Sequence, residues 1–178
     1  SDLVCGDVFV IQGQSNAEAW TDQRVVHPYR SSWLRSFGTP STNKDRARDA
    51  VWGNALSFNG GQNHHHVQIG YWGVELGKML IEKNKVPIFI INGAQGGTRI
   101  DQHQRNEVDP TDVTTIYGRL LWRLQKAKLT HGVRAVLWHQ GENDQGESGA
   151  TGTFGWVNYQ EYFIRMAAAW KQDYPNIK

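Results

Sequence analysis

Three short apolar segments that alternate with helical patterns constrain the fold of this 178-residue chain most. The segments Asp7–Gln12, Val86–Ile91 and Arg134–Trp138 contain β-branched residues and lack a clean polar-apolar alternation, which is typical of parallel strands buried on both faces. Helical periodicity follows each of them, in three stretches: 72–84, 117–132 and 159–175. The alternation predicts an α/β domain, a three-layer α/β/α sandwich around a parallel sheet with right-handed crossovers.

The length suits one domain, so we expect residues 1–178 to form a single unit. The last helical pattern stops near Pro175, and the alternation calls for another strand that the sequence up to Lys178 does not contain. We therefore expect the domain to be incomplete at its C-terminus. In the first helical stretch, Leu76, Met79 and Leu80 mark the expected buried face.

Residues Val25–Asn63 differ from the rest of the chain. They are rich in Ser, Arg, Asn and Gly and show weak periodicity. Long segments of this kind in a compact domain are usually functional or mobile loops. The composition therefore predicts a long loop that could wall a binding cleft.

Composition and charge argue against several partners. The formal net charge is +2, with both signs interspersed, which gives no support for a nucleic acid or an anionic membrane surface as partner. The apolar runs fall far short of the roughly 20 residues that a membrane-spanning helix needs. Cys5 is the only cysteine, which excludes an internal disulfide and a multi-cysteine zinc site. We expect no nucleic-acid partner and no membrane span.

Polar or glycine-rich residues follow all three predicted strands. Gly13-Gln14-Ser15-Asn16 follows the first strand, residues 92–98 follow the second and residues 139–144 follow the third. Ligands of open parallel sheets bind beyond the carboxyl ends of the strands, and small residues let the backbone approach a ligand closely. The three segments are therefore expected to form one site.

The residue types at these strand ends suit ester hydrolysis. Ser15 stands behind Gly13 at a strand-to-helix turn, which can lift a hydroxyl clear of the sheet. The Ser15 N–H, the Gly96-Gly97 backbone and the Gln140 amide could donate hydrogen bonds to an oxyanion. Each part also has an ordinary explanation: a helix cap, a turn and loop hydrogen bonding.

Two alternative interpretations of these glycine-containing segments fit the sequence less well. Gly93–Gly97 lacks both the Lys-Ser/Thr ending of a phosphate-binding loop and the spacing of a dinucleotide fingerprint. Gly13–Ala17 nearly matches the G-x-S-x-G elbow of α/β-hydrolases. Only fourteen residues precede Ser15, however, whereas that fold builds several strands before its serine.

In combination, three motifs resemble the sialate O-acetylesterase-like and carbohydrate esterase family 6 branch of the SGNH hydrolases: Gly13-Gln14-Ser15-Asn16, Gly96-Gly97-Thr98 and Trp138-His139-Gln140-Gly141-Glu142. The resemblance covers residues 7–144 and implies a flavodoxin-like fold with Ser15 as nucleophile. It implies an oxyanion hole from Ser15, a glycine of the Gly96-Gly97 pair and Gln140, which replaces the asparagine more usual among SGNH enzymes. The implied substrates are O-acetyl groups on sugars, of the acetylxylan or sialic acid type, with no metal and no cofactor.

Four further residues are candidates for supporting these loops or binding substrate hydroxyls: Gln14, Asn16, Arg99 and Glu142. A carbohydrate-binding or catalytically inactive module that uses the same cleft is the alternative from another functional class. An acetylated carbohydrate substrate favours a secreted or periplasmic location.

The histidine base is the missing part. A serine nucleophile needs a base, normally a histidine oriented by a carboxylate, and the resembled family takes both from an Asp-x-x-His element. None of the seven histidines has an aspartate three residues before it. We therefore expect a further segment or a separate chain to supply the His–Asp pair. His103 is the best internal alternative, whereas His139 is expected to orient its loop.

The triplet His64-His65-His66 suggests a metal site at first sight. Consecutive side chains project in different directions, however, so a triplet seldom forms one tetrahedral site. We expect a polar loop here and no metal.

Overall fold

The computed structural model describes residues 5–19, 26–57, 66–145 and 156–178. Within these ranges the strands and helices are β1 (Asp7–Gly13), α1 (Ser15–Glu18), β2 (Leu34–Phe37), α2 (Lys44–Ala47), β3 (Trp52–Asn54), α3 (Tyr71–Asn84), β4 (Ile88–Asn92), α4 (Ile116–Lys126), β5 (Val133–His139) and α5 (Trp156–Asp173). Short 3-10 turns lie at Ile100–His103 and Thr130–Gly132.

The strands form one sheet in the order β3-β2-β4-β1-β5. β1 lies between β4 and β5 and is parallel to both, with Ile11 opposite Asn92 and Gly13 opposite His139. The three strands that the sequence predicts are confirmed, with bounds that shift by one or two residues. This register brings the carboxyl ends of β4, β1 and β5 to one edge of the sheet.

Helices cover the sheet on both faces, which confirms the predicted three-layer architecture. On one face α4 and α5 bury Leu120, Leu121, Met166 and Trp170 against the sheet. On the other face α1 and α3 pack against a second apolar cluster that includes Ile11. Because each central strand is covered on both sides, its sequence can be apolar at nearly every position.

The buried face of α3 matches the predicted one at Leu76 and Leu80, which pack partly buried against the second apolar cluster, but not at Met79. Met79 is 59% exposed, and the fully buried positions include Gly73 and Gly77. A Cβ atom built on Gly77 would overlap Leu34 Cδ1 on β2. The two glycines therefore bring the helix backbone onto the sheet, and this rotates the buried stripe away from Met79.

The expected long loop contains regular structure, so that prediction is wrong for its described part, residues 26–57. β2 pairs in parallel with β4, and β3 pairs antiparallel with β2, so the sheet is not purely parallel. β2 has four residues and β3 has three, which is too short for a periodic pattern to show in the sequence. Val25 and residues 58–63 lie outside the described ranges.

α5 is fastened to the sheet and to its neighbours by buried polar groups. Trp170 Nε1 donates to Gln12 Oε1 at 3.0 Å. Asp173 accepts from the Tyr117 hydroxyl at 2.8 Å and from Arg105 Nε at 2.9 Å. In the part of the chain described, no helix combines the length and apolar character that crossing a membrane requires.

A fully buried arginine joins α4 to the ends of two strands. The Arg123 guanidinium donates to Phe37 O at the end of β2 at 3.0 and 2.8 Å, and to Asn92 O at the end of β4 at 2.7 Å. Burial and, to a lesser extent, the Arg119 charge lower the Arg123 pKa to about 9, so the side chain still carries its charge at neutral pH. Carbonyl oxygens rather than a carboxylate solvate this cation.

Arg123→Met should therefore lower the free energy of unfolding by about 2–4 kcal/mol, because two buried carbonyl groups lose their donors. Urea denaturation measures the change. The matched control is Arg165→Met. In wild type the Arg165 guanidinium is exposed and pairs with Glu161 within α5. We expect the control to stay within about 0.5 kcal/mol of wild type. Equal losses in both variants would contradict the structural role of Arg123.

Candidate active site

The turn after β1 places Ser15 at the sheet edge. Gly13 has a φ of +143°, and a Cβ built on it would overlap His139 O, so only glycine suits this position. Gln14 N then donates to His139 O at 3.0 Å, and Ser15 begins α1. No described residue forms a hydrogen bond with Ser15 Oγ. The sequence prediction of a strand-to-helix turn at this serine is confirmed.

The buried Gln14 side chain ties this turn to the loop after β5. Its Oε1 accepts from Gly141 N at 3.3 Å, Asn143 N at 3.2 Å and Gln140 Nε2 at 3.2 Å. Its Nε2 donates to Asn143 Oδ1 at 2.7 Å. Gln14 thus fixes the position of Ser15 relative to the third strand end.

The glycine pair lies directly beside Ser15. A Cβ built on Gly96 would lie 3.6 Å from Ser15 Cβ and 2.9 Å from Glu18 Oε2, and the Gly96 N–H faces the Glu18 carboxyl. Gly97 is exposed, has a φ of +71°, and a Cβ built on it meets no atom within 4 Å. Its N–H has no acceptor among the described residues. Of the two glycines, Gly97 therefore keeps a free donor.

The Gln140 amide is engaged within its own loop region. Its Nε2 donates to Thr98 O at 3.0 Å and to Gln14 Oε1 at 3.2 Å, and it also contacts the Asp144 carboxylate. Its Oε1 is buried without a partner in the described structure. The three acceptors fix the orientation of the amide, since a flip would bring its oxygen against them. Gln140 thus joins the β5 loop to the residue that follows the glycine pair.

Asp144 completes this connection. The buried carboxylate accepts from Ile100 N at 3.1 Å and contacts Gln140 Nε2. Burial raises the Asp144 pKa, and its hydrogen bonds with Gln140 and Ile100 counteract the rise in part. The sequence analysis placed Asp144 in the segment after the third strand. Its role in joining this segment to the turn at Ile100 depends on a contact between residues that are distant in sequence.

Asn16, which follows Ser15, and Glu142 form an exposed pair. Asn16 Nδ2 donates to Glu142 Oε1, and Asn16 O accepts from Trp72 Nε1 at 2.9 Å. His139 Nε2 lies 3.4 Å from the same Glu142 oxygen. No hydrogen bond or ion pair of the described structure joins His139 to Ser15. The structure thus places His139 beside the Glu142 loop that it is predicted to orient.

Arg99 lies on the glycine loop, three positions after Gly96. Its Nε donates to Asp101 Oδ1 at 3.0 Å, and its backbone N–H donates to Gln102 Oε1 at 2.9 Å. Arg99 therefore helps to form the 3-10 turn that follows the glycine loop. The structure does not bring its guanidinium into contact with Ser15.

His103 is fully buried and has a structural role. The Thr98 hydroxyl donates to Gln95 O at 2.6 Å, so it accepts from His103 Nε2 at 2.8 Å. The His103 ring packs edge-on against Trp138, and its Nδ1 has no partner among the described residues. Burial and, to a lesser extent, the Arg119 charge lower the His103 pKa to about 3. This neutral imidazole makes no contact with Ser15, so the structure does not support His103 as the internal base.

Sequence reasoning placed Asn92 in the second strand-end segment but gave this residue no role of its own. Its buried Nδ2 donates to Ala17 O at 2.9 Å and to Ile69 O at 3.0 Å, and its Oδ1 accepts from Ala94 N at 2.9 Å. It therefore connects α1, the segment before α3 and the start of the glycine loop. The available signal was an amide at the end of a strand that is otherwise apolar.

The histidine triplet falls mostly outside the described residues, since only His66 is described. Its Nδ1 lies 2.8 Å from Thr39 Oγ1 and 3.5 Å from Asp49 Oδ2. Across the described ranges, no group of three or more His, Cys, Asp or Glu side chains could hold a metal ion.

The neutral, buried His103 should make stability depend on pH. A histidine whose folded pKa is about 3 stabilises the protein above its ordinary pKa of 6.5, and this stability is lost as pH falls. We expect His103 to contribute a loss of about 2 kcal/mol in unfolding free energy between pH 7 and pH 5.

Urea denaturation of wild type and His103→Gln at both pH values tests this contribution. The variant should lose about 2 kcal/mol less than wild type over this interval. His131→Gln, at an exposed position, is the control and should follow wild type. Parallel pH curves for wild type and His103→Gln would refute a buried neutral imidazole.

A comparison with family models covers nearly the whole chain. A sequence model of the family described as "Carbohydrate esterase, sialic acid-specific acetylesterase" matches residues 5–177. This range includes all three strand-end segments. No protein with curated function matches the sequence.

Two solved structures share the fold. A protein from Arabidopsis thaliana is 17% identical with a TM-score of 0.67, and the match covers 97% of this chain and 71% of that one. A carbohydrate acetylesterase from Xanthomonas citri is 24% identical with a TM-score of 0.60, and the match covers 96% of this chain and 39% of that one. The chain therefore spans about two fifths of the length of the Xanthomonas citri enzyme.

Proposed function

The chain belongs to the carbohydrate esterase family of sialic acid-specific acetylesterases, and on this premise we propose that it removes O-acetyl groups from sugars with Ser15 as nucleophile. One observation carries the proposal. Ser15 begins α1 beside Gly96, while the N–H of the next glycine, Gly97, has no acceptor among the described residues. A nucleophile and an unused donor thus share the edge where the three strands end.

The chemistry follows from these groups. Ser15 Oγ attacks the acetyl carbonyl carbon and loses its proton to a base, and the carbonyl oxygen becomes an oxyanion. The base returns the proton to the sugar oxygen as the carbon-oxygen bond to the sugar breaks. Water then attacks the acetyl-serine, which releases acetate and restores the Ser15 hydroxyl.

The oxyanion donors in this proposal are the N–H groups of Ser15 and Gly97. Ser15 N–H belongs to the first turn of α1, where backbone donors have no partner within the helix. A single donor of this kind typically contributes about 2.7–4 kcal/mol to transition-state stabilisation. Gln140 acts next to them by holding Thr98 O, and this fixes the loop that carries Gly97. Gly96 has no side chain, and this lets the glycine loop lie close to Ser15.

We assign the His–Asp pair of an SGNH-type mechanism to residues outside 1–178, on a further segment or a separate chain. None of the seven histidines belongs to an Asp-x-x-His element, and none of those described contacts Ser15. β5 is an edge strand of the described sheet, and Lys178 N already donates to Arg134 O on it at 3.3 Å. A strand added parallel to β5 would bring its own carboxyl end to the edge that holds Ser15.

Ser15→Ala in the full-length protein should reduce hydrolysis of an aryl acetate and of an acetylated xyloside by at least about 10⁴-fold, because the nucleophile is lost. Release of the chromophore and of acetate measures the two rates. The control Ser32→Ala changes an exposed serine that lies two residues before β2 and should keep wild-type rates. Unchanged turnover in Ser15→Ala would end the proposal, whereas sugar binding without turnover in wild type would favour a binding module.

The location of the base gives a second prediction. Residues 1–178 produced alone and shown to be folded should hydrolyse the aryl acetate at least about 10³-fold more slowly than the full-length protein, because the base is absent. His139→Ala in the full-length protein should lose less than about tenfold, as expected for a residue that orients a loop. Full turnover by residues 1–178 that His139→Ala abolishes would instead assign the base to His139.

A further inference from the structure

A cavity of about 350 Å³ lies next to the glycine loop. Its described walls come from four parts of the fold: the glycine loop 93–96, the segment 39–42 after β2, Glu18 of α1, and Arg119, Leu120 and Arg123 of α4. Neither Ser15 nor Gly97 lines this cavity. The chemistry proposed for Ser15 therefore does not use it.

Two arginines one helical turn apart on α4 give the cavity wall its positive charge. Arg123 donates to backbone carbonyl groups at the ends of β2 and β4, while Arg119 contacts Gln95 Oε1 and donates to Thr114 O at 3.4 Å. All of these acceptors are neutral, and among the described residues neither guanidinium forms an ion pair with a carboxylate. Burial lowers the pKa of both side chains, and the Arg119 charge lowers the Arg123 pKa further. The two like charges therefore repel each other without a counter-ion.

Glu18 is the one acidic residue among the described walls. The residue is only 8% exposed. Burial raises the Glu18 pKa, and the hydrogen bond from the Gly96 N–H counteracts the rise in part. No ion pair of the described structure joins Glu18 to Arg119 or Arg123. With Glu18 ionised, the walls carry two positive charges and one negative charge, so one added monoanion would balance them.

Unused hydrogen-bond donors line the same cavity. A guanidinium has five N–H groups, and most of those of Arg119 have no acceptor among the described residues. Ser41 is buried, and its Oγ accepts from Asn43 N at 3.2 Å, which leaves the hydroxyl proton without an acceptor in the described structure. Guanidinium and hydroxyl donors at a site of net positive charge are the groups that bind an oxyanion.

We propose that this cavity is a binding site for a small organic monocarboxylate, which accepts hydrogen bonds from Arg119 and Ser41. The inference goes beyond the proposed esterase reaction and does not depend on it. The two coplanar oxygens of a carboxylate match the planar fork of a guanidinium. The cavity volume falls within the range of about 300–1,000 Å³ that is typical of small-molecule sites.

The charge balance excludes two other classes of ligand. A neutral ligand would leave the repulsion between Arg119 and Arg123 uncompensated. A dianion such as inorganic phosphate would leave a net negative charge beside the buried Glu18, where poor solvation makes repulsion strong. A single negative charge is the one that the walls accommodate.

Titration of the ¹⁵N-labelled full-length protein with sodium acetate, at constant ionic strength, tests this inference by NMR. Acetate should produce saturable shifts of the Gly93 and Gly96 amides and of Arg119 Nε. Acetamide has nearly the same shape without the charge and should bind at least about tenfold more weakly. Inorganic phosphate at about pH 8, where it is mostly a dianion, should also bind more weakly than acetate. Absence of saturable shifts with acetate, or equal or tighter binding of acetamide or phosphate, would overturn the proposal.

Two charge-changing variants should act in opposite directions. Arg119→Met removes donors and a positive charge, so it should weaken acetate binding by at least about tenfold. Glu18→Gln removes a negative charge but keeps an oxygen that can accept from the Gly96 N–H, so it should tighten acetate binding by at least about threefold. Damage to the fold would weaken binding in both variants, whereas the proposal requires a gain in one of them.

Matched controls make the same charge changes away from the cavity. Arg165→Met and Glu82→Gln alter exposed side chains that are not among the cavity walls. Both should bind acetate as wild type does. Unchanged acetate binding in Arg119→Met, or weaker binding in Glu18→Gln, would contradict the proposed site.

Acetate is also a product of the reaction proposed for Ser15, so the two locations must be separated. Ser15→Ala should bind acetate with wild-type affinity, because Ser15 does not line the cavity. Largest shifts at the Ser15 and Gly97 amides would instead place the acetate at the proposed reaction centre and refute the cavity site. The titration contains no chemical step, so failure of the proposed hydrolysis would leave its result unaffected.

Discussion

The arrangement of the sheet edge depends on the buried amide of Asn92. This one side chain satisfies Ala17 O on α1, Ile69 O before α3 and Ala94 N in the glycine loop. Its backbone oxygen in turn accepts from Arg123 of α4. Leaving a buried polar group without a partner costs about 1–3 kcal/mol, so each of these four connections constrains the others. Asn92 thus helps to set the separation between Ser15 and the glycine loop, because it binds that loop at Ala94 N and the Ser15 helix at Ala17 O.

The strands and the site segments were predictable because burial and topology both constrain which residues the sequence can contain. Central parallel strands covered on both faces require continuous apolar residues, as in Ile88–Asn92, and their carboxyl ends must coincide. The strands Leu34–Phe37 and Trp52–Asn54 are too short to show such a continuous apolar pattern. Trp52 is in fact half exposed.

The contacts that organise the site could not be predicted from the sequence, for a different reason. Gln14 bonds Asn143, which lies 129 positions away, and Asn92 bonds Ala17 across 75 positions. An amide in a strand end gives no sign of which distant group it will meet. In the same way the sequence identified Gly96 and Gly97 together, whereas only the structure shows that Glu18 faces the N–H of the first and that the second stays unpaired among the described residues.

The open side of β5 also affects how the chain behaves in solution. In the described sheet the seven residues of β5 pair with β1 on one side only, and the strand is half-buried along most of its length. Apart from the register shift at Arg134, this edge presents a row of backbone donors and acceptors, which can template pairing with other extended chains. The same free edge that leaves room for one more strand in the described sheet is therefore a place where extended segments of other chains can pair.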